Sequence, residues 1–99
     1  MKKLMINSKN KYLHTLMDEE MKEYTLSLDF FDIEDEVQVG NIIYVNEELL
    51  NPKYEGFSTS YTFGNLDSQY GKENIQLDDI DVIKLVIDEK EIYLKRLYG

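Results

Sequence analysis

Phe31-Asp32-Ile33-Glu34-Asp35-Glu36-Val37-Gln38-Val39-Gly40-Asn41-Ile42-Ile43-Tyr44-Val45 is the stretch that decides the fold. An acidic turn gives way to Val-x-Val, then a Gly-Asn break, then a β-branched and aromatic run. Turn, short strand, kink and strand in that order describe a small antiparallel β-barrel. Gly40-Asn41 supplies the kink, as a bulge or a tight turn, because that pair tolerates φ > 0. Asp78-Asp79-Ile80-Asp81 running into Val82-Ile83-Lys84-Leu85-Val86-Ile87 is a fainter echo.

The flanking sequence has the same character. In Glu23–Phe31, Tyr24, Leu26, Leu28 and Phe30 alternate with Thr25, Ser27 and Asp29, the period of a half-buried strand. Phe57, Tyr61 and Phe63 alternate with Ser58, Ser60 and Thr62. Ile80–Ile87 and Ile92–Leu97 read as a hairpin joined by the four residues Asp88-Glu89-Lys90-Glu91. Lys2–Ile6 is a short first strand. Asn46–Asn51 reads as one helical turn, capped by Asn46, acidic at its start and stopped by Pro52.

Ser8–Met21 reads differently. Tyr12, Leu13, Leu16, Met17 and Met21 share one helical face, with Ser8 as N-cap. Lys9 and Lys11 in the first turn and Asp18, Glu19 and Glu20 in the last oppose the helix dipole, so the expected helix is short and frayed. The fold class is therefore mainly β, a β-rich α+β domain. Its form is a small antiparallel curved sheet or an OB- or SH3-like barrel of five to six strands with one short helix. A chain of 99 residues with one Pro reads as a single globular domain over 1–99.

Composition narrows the chemistry. Without cysteine there is no disulfide, no thiolate nucleophile and no Cys-ligated zinc. Leu4-Met5-Ile6 is too short an apolar run for a leader or a membrane span, so the expected location is cytoplasmic, with no membrane partner. The Lys-, Ile-, Asn-, Tyr- and Glu-heavy vocabulary suggests an AT-rich bacterial or phage genome. A net charge of −9 repels phosphates, which makes nucleic acid an unfavoured partner and leaves solubility, a basic partner or mimicry of nucleic acid as the role of the acids.

Sites with catalytic grammar do not stand out. His14, the single histidine, reads as solvated or partly packed on the expected helix. Neither a Gly-x-Ser-x-Gly elbow nor a His-Glu-x-x-His pair occurs, and the five glycines form no phosphate loop. Asp32, Glu34, Asp35 and Glu36, like Asp78, Asp79 and Asp81, lack the Gly that bends a calcium loop and read as solvated turns. No catalytic residue, metal or cofactor is assigned.

The residues singled out for an interaction surface are Phe57, Tyr61, Phe63, Tyr70 and Arg96. The aromatics at period two suit a core face or a stacking platform. Tyr70 lies in Gly64–Asp79, whose length and polar composition suggest a functional or mobile loop. Arg96, in phase with Ile92 and Leu94, is expected to be partly buried and paired with an acid.

The Val-x-Val-Gly-Asn-Ile-Ile-Tyr-Val pattern is similar to barrel strands of the oligonucleotide-binding fold over about fifteen residues. That resemblance implies a single-stranded nucleic-acid-binding module as the alternative function. The leading expectation is a small acidic binding or accessory domain without catalytic activity, acting through a protein interface. A homodimer through an open sheet edge is one form of it. A small metal-dependent enzyme is the third.

Overall fold

Strand alternation, carried around a ring, builds the molecule. The computed structural model describes residues 1–11, 13–30, 33, 35–52, 59–66, 75–76 and 79–97. Its strands are β1 (Lys2–Asn10), β2 (Leu13–Met17), β3 (Glu23–Phe30), β4 (Ile42–Val45), β5 (Asn51–Pro52), β6 (Thr59–Asn65), β7 (Val82–Ile87) and β8 (Lys90–Arg96). They form one sheet in the order β2-β1-β4-β7-β8-β6-β3-β5, and β2 also pairs with β3. Seven strands therefore close a ring, with β5 appended to β3. The mainly β expectation holds, but there are more strands than the five or six expected.

Inward positions fill the ring. Leu4 and Ile6 of β1, Leu16 of β2, Leu26 and Leu28 of β3, Ile43 and Val45 of β4, Ile83 and Leu85 of β7 and Leu94 of β8 are buried in one cluster. Neighbours in sequence point outward, as period two requires. Two short segments close the ends. Ile33 and Val37 are buried at one end, where β4 begins, and Leu49 at the other, where β4 ends. We call these the Gly40 end and the Arg96 end.

One pair is parallel. β3 and β6 run together from Leu26↔Thr59 to Phe30↔Phe63. A parallel pair needs a crossover, and β4 provides it. The chain leaves β3 at the Gly40 end, returns along β4, and turns through a 3-10 segment, Glu47–Leu49, at the Arg96 end. The cap there is as expected from sequence: the Asn46 side chain accepts a hydrogen bond from Glu48 N at 3.0 Å.

Three local expectations are corrected. Ser8–Met21 is not a helix: it holds the end of β1, the turn at Lys11, all of β2 and the start of the next turn. Its two strands satisfy their backbones on both sides, β2 against β1 and β3, and that pairing outweighs an i, i+4 spacing whose end charges already oppose a helix. Val37–Val39 is not a strand. Gly40 sits at φ +99° in a turn where Asn41 N donates to Gln38 O and Gln38 N donates to the Asn41 side chain. The β7–β8 connection is two residues, not four. Asp88 and Glu89 take φ +49° and +67°, so both central residues are left-handed, as in the I′ hairpins that suit strand twist.

Candidate functional site

Of the five residues expected at an interaction surface, the structure brings three together. Phe57 and Tyr70 lie outside the described residues, as does most of the Gly64–Asp79 segment. Phe63 pairs with Arg96 across β6–β8, and Tyr61 packs against the core with its ring 6.0 Å from Phe63, edge to face. Phe63 has 0 % exposure, so it is core and not surface.

Arg96 meets its expectation. Nη2 lies 2.6 Å from Asp81 Oδ1, the guanidinium sits 5.2 Å from the Tyr61 centroid, and Arg96 N donates to Asp81 O. The side chain is 20 % exposed. Arg96 Nε and Asp81 Oδ1 are shielded from solvent with no hydrogen-bond partner among the described residues, so the contact is an ion pair, not a directed hydrogen bond. Its position, between β7, β8 and β6 at one end of the barrel, is that of a strut.

His14 is corrected more sharply. It projects into the barrel from β2 with 1 % exposure, opposite Lys9 on β1 and Leu26 on β3. Lys9 donates to Val37 O at 3.2 Å, tying β1 to the plug of the Gly40 end. Among the described residues no three His, Cys, Asp or Glu side chains converge as metal ligands. Asp32, Glu34 and Asp78 lie outside those residues.

What the sequence reading passed over is the methionines. The chain has four, and none is in the core. Met1 and Met5 are each 40 % exposed, Met21 is 75 % exposed, and Met17 is half-buried. Leu4 and Ile6 point inward, so Met5 points outward; Leu16 points inward, so Met17 does the same. Register then aligns them. Met5 stands opposite Met17 on one side and Ile42 on the other, making an apolar row across three strands. A groove of about 220 Å³ runs along it, lined by Lys3, Met5, Met17, Asp18, Glu19 and Ile42. A second depression, about 380 Å³, lies beside Met1, Asn46, Glu47 and Glu48.

Lys2 lines the second and bridges an acid of each. Its Nζ is 3.5 Å from Asp18 Oδ2, 3.4 Å from Glu47 Oε1 and 5.4 Å from the Tyr24 ring centroid. The Tyr24 side chain, then Glu47 and Asp18, hold the Lys2 ammonium above its usual range against the opposing effect of burial. Asp18 anchors the β2–β3 turn. Its Oδ1 accepts from Glu20 N and Lys22 N, both at 2.9 Å, while Met21 N donates to Asp18 O. Burial alone would raise the Asp18 pKa. The two backbone N–H groups and Lys2 outweigh it and hold the carboxyl below its ordinary value.

That turn places Met21 at φ +66°, a conformation that an L side chain occupies at a cost of about 1–2 kcal/mol. Three-residue hairpin loops use a left-handed last residue, usually Gly. Here the position holds a large apolar side chain and exposes it.

A different outer row runs from β1 to β8. Lys3, Tyr44, Lys84 and Tyr93 are successive cross-strand neighbours. Lys84 Nζ lies 4.2 Å from the Tyr44 centroid and 3.5 Å from Glu91 Oε1, and Tyr93 OH donates to Glu91 Oε2 at 3.1 Å. Burial and Glu91 push the Tyr93 phenol above its ordinary pKa. Among the described residues no helix is long and apolar enough to cross a membrane. Compared with family models, curated proteins and solved structures, the chain matches none.

Proposed function

We propose that this chain is a small acidic binding module that acts through a protein interface, and that the methionine side of the barrel is its contact surface. One observation carries the reading: every methionine is held off the core, and Met5 and Met17 are aligned with Ile42 along a groove. Methionine is flexible and polarizable, which suits surfaces that must adapt to a partner's apolar side chains. The ring favours side-chain contact over edge pairing. Each of its seven strands is paired on both sides, so an edge-to-edge homodimer has no wholly free ring strand to use.

Cross-linked capture from the native host tests it, comparing the wild-type chain with Met5→Ser/Met17→Ser and with Val39→Ser. Val39 is a more exposed apolar residue, at 61 %, that lies in the Gly40 turn and outside the lining of the groove. The expected result is a protein retained by wild type and Val39→Ser and lost by the double variant. Retention by all three would overturn the reading.

The Lys3–Tyr44–Lys84–Tyr93 row supports a second reading, single-stranded nucleic acid stacking on tyrosines between lysines. Against it stand the net charge of −9 and the engagement of Lys84 by Glu91. Absence of single-strand binding at low salt and about 50 µM protein, toward the weak end of the range for non-specific contacts, would end it.

A further inference from the structure

We infer that the methionine surface receives a basic, amphipathic protein segment, one that presents large aliphatic side chains on one face and Lys or Arg on the other. The inference rests on the reading of this surface as a protein interface and adds the chemistry of the partner.

Charge around the groove makes the choice. Asp18, Glu19 and Glu20 lie in the turn between Met17 and Met21, Glu23 follows it, and Glu47 and Glu48 flank Met1. Lys2, Lys3 and Lys22 are interspersed with these six carboxylates, Lys3 lining the groove itself, so the acids outnumber the lysines two to one. Lys2 is committed to Asp18 and Glu47, and Lys22 sits 5.3 Å from the Tyr24 centroid. Glu19, Glu20 and Glu48 remain exposed around an apolar floor. The whole chain, at −9, reinforces the local sign and would steer a cationic segment toward it. An acidic segment meets repulsion at both scales.

Geometry suits a segment better than a flat surface. The groove beside Met5 and Met17 is sized for one or two aliphatic side chains, and the depression beside Met1 is linked to it through Lys2. Met21 stands over the turn next to Asp18, held there by the backbone bonds that keep its left-handed conformation. Apolar anchors in grooves with acids at the rim are how amphipathic basic segments are held.

Calorimetric titration of the full chain with three peptides of about 15 residues, near the length at which isolated helices form, tests this. One carries Leu and Lys on opposite faces, one Leu and Glu in the same pattern, one Lys and Ser. The Leu/Lys peptide is expected to bind, to weaken about tenfold with Met5→Ser/Met17→Ser, and to weaken with added salt. Equal or tighter binding of the Leu/Glu peptide, lost in the double variant, would overturn the basic partner and leave the protein interface standing. Equal binding of Lys/Ser, or no binding of Leu/Lys, would also overturn the inference, while capture from the host judges the interface separately. Leu/Lys binding that ignores the double variant would overturn the inference and count against the surface itself. A thermal melt of the double variant, expected near wild type, separates lost contact from lost fold.

Discussion

Across the ring from one another lie two clusters built by the same alternation and put to opposite uses. On the β6–β8 side, Arg96, Asp81, Tyr61 and Phe63 turn charge and aromatic area toward the interior, where the ion pair and the edge-to-face contact brace the end of the barrel. On the β1–β2 side, Met5 and Met17 turn apolar area outward, where no described neighbour covers it fully. Cations and aromatics by themselves suggest recognition, and methionines suggest core. In this molecule their positions reverse that, which shows that phase within a strand outranks residue type.

The largest effect is expected where the first cluster meets the core. Phe63→Ala should lower unfolding free energy in urea by about 3–5 kcal/mol, as for a fully buried Phe. Met5→Ala should cost less than about 1 kcal/mol, since much of that side chain is already in water. Similar losses at the two positions would erase the contrast. Next, Asp81→Asn leaves the Arg96 charge without its acid and should cost about 1–2 kcal/mol. Arg96→Met together with Asp81→Asn should recover part of it, measured by the same urea unfolding.

Met21→Gly sharpens the comparison from the other side. Glycine relieves the φ +66° strain and removes an exposed apolar group, so the fold should gain about 0.5–1 kcal/mol while capture of the partner weakens. Stability gained without loss of capture would take Met21 out of the surface. The smallest effect is electrostatic. Asp18 has a depressed folded pKa, so its contribution is fully present above its unfolded value, about 3.9, and is lost as pH falls through the folded value. Asp18→Asn should flatten the pH dependence of the melting midpoint below about pH 4 and leave it unchanged near neutrality.

The first cluster was more legible than the second for physical reasons. Arg96 shares phase with Ile92 and Leu94, so its partial burial and its need for an acid follow from local periodicity, although the choice of Asp81 needs the β7–β8 register. Ile42–Val45 and the Asn46 cap were equally local. Met17 was not, because Leu13, Leu16 and Met17 fit a helical face as well as a strand. Only pairing with β3 settles which they form. A bulge compounds this: the register slips between Ile6 and Ser8, so alternation read from Leu4 and Ile6 fails to carry into Lys9, which stands opposite the inward His14. The ring itself depends on the parallel β3–β6 pair, a contact between distant segments with no short-range signature.

Peroxide footprinting of the methionines tests the central claim most directly, comparing the purified chain with the same chain in its native host extract. All four should oxidise readily in the purified folded protein, and Met5 and Met17 should be protected about tenfold or more in the extract. Met5 or Met17 resisting oxidation until the purified chain unfolds, or oxidising at the same rate in both settings, would contradict it.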